Sequence, residues 1–247
     1  MFDLIEKGFN GPKGVSASFV FRKDTADENT INATYKEDEY GFQNLPPDPL
    51  EGMIDAGGYV GSTAILYAQL YPQTKVICIE PLPENNDLIR KNIERNGLKD
   101  RITLIEGALW GTSEGKTKIF YRDSSTVGKV HKFVGSAIKQ YHETVSEDGV
   151  EVQNIGLIDC MVRLGLPRVR VLKMDIEGSE YEVFRTLPDE WQKGIQTIVG
   201  EYHNIFPGRV DDPRTELYQP LKNIFEDRSI STEVKTWGSF WFERRTE

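Results

Sequence analysis

Cysteine is scarce in this chain: two among 247 residues, Cys78 and Cys160, with only three histidines and four methionines. Two thiols exclude a disulfide framework and a four-cysteine zinc site. Cys78 lies in an apolar run and Cys160 in a helical stretch, so both read as reduced structural thiols. Positive charge is also in deficit, with 30 Lys and Arg against 39 Asp and Glu, a net −9. That balance argues against a nucleic-acid backbone as partner, because such binding needs clustered cations. No apolar run approaches the ~20 residues that span a bilayer. The opening MFDLIEKGFN carries charge where a secretion signal needs an apolar core. The expectation is a soluble, cytoplasmic protein without membrane insertion. Asn32-Ala33-Thr34 has the form of a glycosylation sequon, read as chance in that setting.

What is present is enough for a core. Hydrophobic residues make up 38% and aromatics 11%, too many for a disordered chain. Residues 1–50 read as a mixed, irregular lead-in that packs on a catalytic domain over 51–247. The Pro-rich LPPDP at 45–49 marks the boundary. Beyond it a rhythm begins. MIDAGG is a strand, STAILYAQLY a helix stopped by Pro72, and VICIE a second strand. PENNDLIRKNIERNG then reads as a helix, with Pro83 in its first turn and Asn96-Gly97 at its end. ITLIEG, VRVLKMD and TIVGEYH supply three more strands, with a helix over EGSEYEVFRTL before the last. RTELYQPLKNIFED reads as a helix, and STEVKTWGSFWFERR as two strands joined at Trp237-Gly238, one of them antiparallel. Strands that are apolar throughout, separated by helices, predict an α/β doubly wound, mostly parallel sheet covered on both faces. An insertion or lid is expected around 115–155: a strand at GKTKIFYRD, a polar stretch to 150, then a helix over NIGLIDCMVRLG capped by Gly165.

In such a sheet ligands bind at the carboxyl ends of the strands. After the first strand stands Asp55-Ala56-Gly57-Gly58-Tyr59-Val60-Gly61-Ser62, a glycine-rich turn opening a helix. Glycines there permit a tight turn and close backbone approach to a ligand. After the second strand come Glu80 and Pro81, and an acid at that distance suits ribose hydroxyls. The pattern predicts a nucleoside ligand. Asp55 favours a cationic amino-acid moiety, as in S-adenosylmethionine, over a pyrophosphate. A nicotinamide-nucleotide oxidoreductase and a catalytically silent nucleoside-binding module remain the alternatives.

The strings MIDAGGYVGS, VICIEPLPENNDLIRKNIERN and LKMDIEGSEYEVF resemble the FkbM family of S-adenosylmethionine-dependent methyltransferases. EGALWG, LIDCM, EYH and the lead-in FRKDTADENTINATYKEDEYGF extend the likeness over roughly 20–205. One departure is Gly58-Tyr59, where the family commonly has Ala-Asn. The resemblance implies the class I methyltransferase (Rossmann-like) fold with seven strands, and methyl transfer to a hydroxyl of a sugar or other natural product. It implies that Asp55, Gly57 and Gly61, with Tyr59 in the same turn, frame the methionine part of the cofactor. Glu80 would hold the ribose, Pro81 would lie beside the adenine, and Gly107 and Ala108 would border its edge. Asp175 would face the reacting methyl.

Removing the acceptor proton has two readings. In one, neutral His203, with a pKa near ~6.5, is the general base and no metal is needed; this is the one preferred. In the other, Asp175 with Glu201 or His203 holds Mg²⁺. Helix capping is the competing role for Asp175, Glu177 and Glu180. His131 and His142 read as surface residues, and Trp237 and Trp241 as core.

Overall fold

The computed structural model describes residues 2–45, 51–123, 131–134, 150–165, 168–203, 213–229 and 237–246. Two strands, β1 (Leu4–Asn10) and β2 (Ser16–Arg22), form an antiparallel hairpin ahead of α1 (Asp27–Asn32). Then follow β3 (Glu51–Ala56), α2 (Ser62–Leu70), β4 (Val76–Glu80), α3 (Pro83–Arg95), β5 (Ile102–Glu106) and β6 (Ala108–Trp110). The middle of the chain supplies β7 (Lys116–Asp123), β8 (His131–Val134), β9 (Val150–Gly156) and α4 (Leu157–Leu164). The last third holds β10 (Arg168–Met174), α5 (Glu180–Thr186), α6 (Asp189–Gln192) and β11 (Ile195–His203). It ends with α7 (Pro213–Tyr218), β12 (Phe225–Asp227) and β13 (Trp237–Arg244).

Seven strands form one sheet in the order β12-β13-β11-β10-β3-β4-β5. From β11 to β5 every pairing is parallel, while β13 runs antiparallel to both β11 and β12. This is the class I methyltransferase sheet, and its continuous apolar strands explain it. All five residues of β4 are buried, as a strand covered by helices on both faces must be. One face packs Ile77, Leu172 and Ile198 with Phe184 and Leu157. The other packs Ile65 and Ile89 with Phe9, Phe19, Phe21 and Ile31 from the N-terminal segment. Among the described residues no helix is long and apolar enough to cross a membrane. Both cysteines are free and buried.

Four expectations change. The N-terminal stretch read as irregular is a full-register hairpin, with Ala17, Phe19 and Phe21 buried on alternate positions of β2. Residues 154–156, read as the start of a helix, finish β9; Gly165 does cap α4, at φ 62°. The helix begun at 213 stops at Tyr218, before Pro220, and Phe225–Asp227 becomes an edge strand. The chain does not turn at Trp237-Gly238, because Gly238 stands in register opposite Tyr202 within one continuous ladder. The proposed preceding strand at 231–236 falls outside the described residues. So does most of the lid, at 124–130 and 135–149, with His142. Around that segment β6, β9, β7 and β8 make a second, four-stranded sheet.

The hairpin docks on α3 through two asparagines one turn apart, Asn92 within the helix and Asn96 at its C-cap. Asn92 Oδ1 accepts the Val20 N–H at 2.8 Å and its Nδ2 donates to Val20 O at 3.2 Å. Asn96 repeats the arrangement on Ser18, at 3.1 and 2.9 Å. A helix rises about 6 Å over four residues and a strand about 6.7 Å over two, so the two repeats match.

Candidate active site

A cleft of about 260 Å³ opens at the carboxyl ends of the central strands. Gly57, Gly58 and Tyr59 line it from the turn after β3, Glu80 and Pro81 after β4, Gly107 and Ala108 after β5, and Asp175 and Glu177 after β10. Leu82, Leu109 and Ile119 add apolar wall, and Arg22, Asp27, Glu39 and Tyr40 reach it from the N-terminal segment.

The first turn is fixed by contact. Gly57 has φ +87°, and a Cβ there would lie 2.0 Å from the Asp175 carbonyl oxygen, so no side chain fits. Lys173 Nζ donates to Gly57 O at 2.9 Å and to Ala56 O at 3.3 Å, and lies 3.3 Å from Asp55 Oδ1. Burial works against the Lys173 charge, but Asp55, Asp175 and Glu39 together raise its pKa above the ordinary lysine value. Asp55 is entirely buried and does not line the cleft; Lys173 does. Gly61 is also withdrawn, as the residue before α2, with Ile89 against it. Asp55 and Gly61, expected to frame the methionine part of the cofactor, thus stand behind the turn that lines the cleft.

The Gly58-Tyr59 departure has a physical account. Tyr59 sits at φ +51°, a region that Asn tolerates better than Tyr. Its side chain is held in return: the hydroxyl donates to Asp27 Oδ1 at 2.5 Å, and the Arg22 guanidinium lies 5.3 Å from the ring centre. Arg22 is itself bound to Asp27 through Nε and Nη2, at 2.8 and 3.0 Å. A Cβ at Gly58 would come within 2.4 Å of Cys78 Sγ.

Glu80 is buried and accepts three N–H groups: Tyr59 N at 2.9 Å, Leu82 N at 3.0 Å and Asn85 Nδ2 at 3.1 Å. Burial pushes its carboxyl up to about 7, against the pull of those donors. A carboxylate offers about four acceptor sites, so one remains for a ligand hydroxyl. Among the described residues, Asn85 Oδ1, on the same wall, is buried with no hydrogen-bond partner. An open acidic acceptor and an unpaired amide oxygen, beside apolar Leu82 and Leu109, fit the hydroxyls and flat base of an adenosine.

At the other end lies an acidic cluster. Glu180 is fully buried and ties down the loop ahead of α5 rather than capping the helix: Oε1 accepts Ile176 N and Oε2 accepts Gly178 N, both at 2.8 Å. Between those clamped amides, Glu177 adopts φ +54°. His203 does not line the cleft. Its Nε2 lies 3.7 Å from Glu177 Oε2, 3.9 Å from Glu201 Oε2 and 4.0 Å from Asp175 Oδ1, and its Nδ1 lies 3.6 Å from Glu180 Oε1. Burial alone would lower the imidazole pKa, but Glu180, then Glu177 and Asp175, raise it to about 10. The neutral imidazole expected from the sequence is thus an imidazolium at neutral pH. Burial pushes Glu177 up to about 7, with Asp175, Glu180 and Glu201 adding to it and His203 opposing. Asp175, Glu177 and His203 offer ligand atoms within 4.8 Å of one another, so a cation would compete with the His203 proton for the same space.

Lys173, Glu39, Tyr40 and the Arg22–Asp27 pair were missed by the sequence reading. Lys173 alone left a signal, as the one charge among apolar residues in VLKM.

The Methyltransferase FkbM domain matches residues 55–227 of this chain. Methyltransferase sdnD of Sordaria araneosa is 26% identical over 187 residues, 66% of this chain and 69% of that protein. 2-O-methyltransferase NoeI of Sinorhizobium fredii (strain NBRC 101917 / NGR234) is 30% identical over 145 residues, 56% of each chain. An O-methyltransferase from Bacillus cereus, solved in complex with SAH, superposes with a TM-score of 0.47 at 14% identity, covering 85% of this chain and 81% of that one. With the family domain spanning most of the chain, the choice left open between nucleoside ligands closes: the protein belongs to the FkbM methyltransferase family and is an S-adenosylmethionine-dependent methyltransferase.

Proposed function

We propose that the protein methylates a hydroxyl on a small molecule, a sugar or another natural product. The observation that carries this reading is the pair of carboxylates, Asp175 and Glu177, at one end of the cleft. A hydroxyl is a poor nucleophile until its proton has somewhere to go, and groups of this kind provide that. The name of the relative NoeI, a 2-O-methyltransferase, supports the same reading. The net charge of −9 and the acidic cluster would repel a phosphate backbone, which favours a small acceptor over a nucleic acid.

When bound, S-adenosylmethionine supplies an electrophilic methyl carbon on a sulfonium. Glu80 would accept from the ribose hydroxyls, and Pro81, Gly107 and Ala108 would bound the adenine. The turn at Gly57–Tyr59 would hold the amino-acid end, supported by Asp55, Lys173 and Gly61. Asp175 would face the reacting end and orient the acceptor hydroxyl, a task in which alignment supplies much of the rate. The test is an acceptor panel of saccharides, phenols, amines and carboxylates with methyl-labelled cofactor, read by mass spectrometry. Label on a hydroxyl oxygen is expected; label only on nitrogen or carbon would overturn the reading.

A further inference from the structure

The acceptor proton needs a destination, and the acidic cluster offers five titratable groups. His203 neither lines the cleft nor has a free lone pair on Nε2 as an imidazolium. Glu201 also does not line the cleft. Glu180 is fully buried, and both its oxygens already accept backbone N–H groups. Asp175 and Glu177 remain, both at the cleft surface.

The backbone separates these two. Glu177 is a non-glycine residue in the left-handed region, at φ +54°, a conformation that costs ~1–3 kcal/mol and persists only where its surroundings impose it. Here the imposing group is Glu180, whose two oxygens hold the N–H groups on either side of residue 177 at 2.8 Å. The clamp holds residue 177 in a backbone geometry it would not take alone, and its side chain lines the cleft. Oε2 lies 3.7 Å from the His203 nitrogen, and 38% of the side chain stays exposed. Among the described residues neither Glu177 oxygen takes a hydrogen bond, so a lone pair is available to an incoming hydroxyl.

We infer that Glu177 is the general base of the methyl transfer, and that His203 is a positioning residue holding its carboxylate. The inference rests on the hydroxyl-acceptor reading above. In the step, the acceptor O–H bond breaks and its proton joins a Glu177 carboxylate oxygen. The electron pair stays on the acceptor oxygen, which uses it for the new bond to carbon. Glu177 then returns the proton to water across its exposed edge. Burial raises the Glu177 carboxyl to about 7, with Asp175 beside it, Glu180 on α5 and Glu201 on β11 adding to the rise and His203 on β11 opposing it. A carboxyl raised in this direction is a stronger base than an ordinary glutamate, which suits the task.

The test uses the full chain with an acceptor that the wild type methylates. Glu177→Gln should lower kcat by ~10²–10⁴, with affinity for S-adenosylhomocysteine within about threefold of wild type. The rise of kcat with pH near 7 should vanish in that variant and return partly in Glu177→Asp. His203→Gln should keep the rise but move it to higher pH, because the imidazolium that stabilises the carboxylate is gone. A Glu177→Gln enzyme that binds the cofactor product and keeps its kcat within threefold would overturn the assignment. So would activity lost to a chelator and restored by Mn²⁺, which would make the cluster a metal site instead. If the wild type methylates no hydroxyl at all, the hydroxyl reading falls and takes this inference with it.

Discussion

Lys173 and Asp55 face each other in register on two neighbouring parallel strands, with Nζ 3.3 Å from Oδ1 and neither side chain more than 3% exposed. Two charges removed from water depend on each other. Lys173→Met leaves a buried carboxylate alone and should cost ~3–5 kcal/mol in denaturant unfolding. The double variant Asp55→Asn with Lys173→Met should cost clearly less than the sum of the two singles. Additive losses would show that the pair is not coupled. Because Lys173 also holds the carbonyls of Ala56 and Gly57, the single variant should weaken cofactor binding as well.

His203 gives the stability a pH dependence of definite sign. Its folded pKa, about 10, lies above its ordinary value of 6.5. The folded state therefore holds the proton more tightly, and the stabilisation is complete below pH ~6.5 and lost as pH rises toward 10. Glu80 and Glu177, raised to about 7, act in the same direction between pH ~4.5 and 7. Melting temperature should fall steadily from pH 6.5 to 10, and the slope should flatten in His203→Gln. An unchanged slope in that variant would remove His203 from the account.

Gly58 and Cys78 should behave as a linked pair. A methyl group at 58 would lie 2.4 Å from the Cys78 sulfur, and overpacking of that kind costs ~1–3 kcal/mol. Gly58→Ala should destabilise the wild type by that amount and much less in a Cys78→Ala background. Equal penalties in both backgrounds would mean the backbone, not the sulfur, refuses the methyl.

Replacing Glu80 by Gln tests the ribose assignment without emptying the site. The amide oxygen can still accept from some of the three N–H groups, but the charged acceptor for a ligand hydroxyl is lost. Affinity for S-adenosylhomocysteine should weaken by ~1.5–3 kcal/mol in calorimetric titration. Unchanged affinity in the folded variant would rule Glu80 out as the ribose acceptor.

The sheet was legible because its signal is local: apolar runs of five to seven residues ending in Gly57, Glu80, Gly107, Asp175 and His203. Those ends also gave most of the cleft. What was not legible depends on three-dimensional neighbours. That Asp55 is buried behind Lys173 follows from strand order, which spacing does not reveal. The charge on His203 comes from carboxylates on two separate elements, α5 and the loop after β10, as well as its own strand. The N-terminal hairpin was overlooked although Ala17, Phe19 and Phe21 alternate with Ser16, Ser18 and Val20 at the strand period, because apolar Val20 at an outward position blurs the alternation. Gly238 looked like a turn by type alone, and only its register with Tyr202 shows otherwise.

Asn92 on α3 and Asn96 at its C-cap have one more consequence. A strand at the border of a two-stranded ribbon leaves alternate N–H and C=O groups open, a template on which a second molecule can add its own strand. Asn92 and Asn96 present to Val20 and Ser18 an amide oxygen and an amide nitrogen each, the same donor–acceptor pattern an adjoining strand would offer. The helix thus imitates a neighbouring backbone and occupies the border of β2. Chains with Asn92→Ala and Asn96→Ala would expose that border while folding, and self-association would then compete with the docking of the hairpin on its own helix.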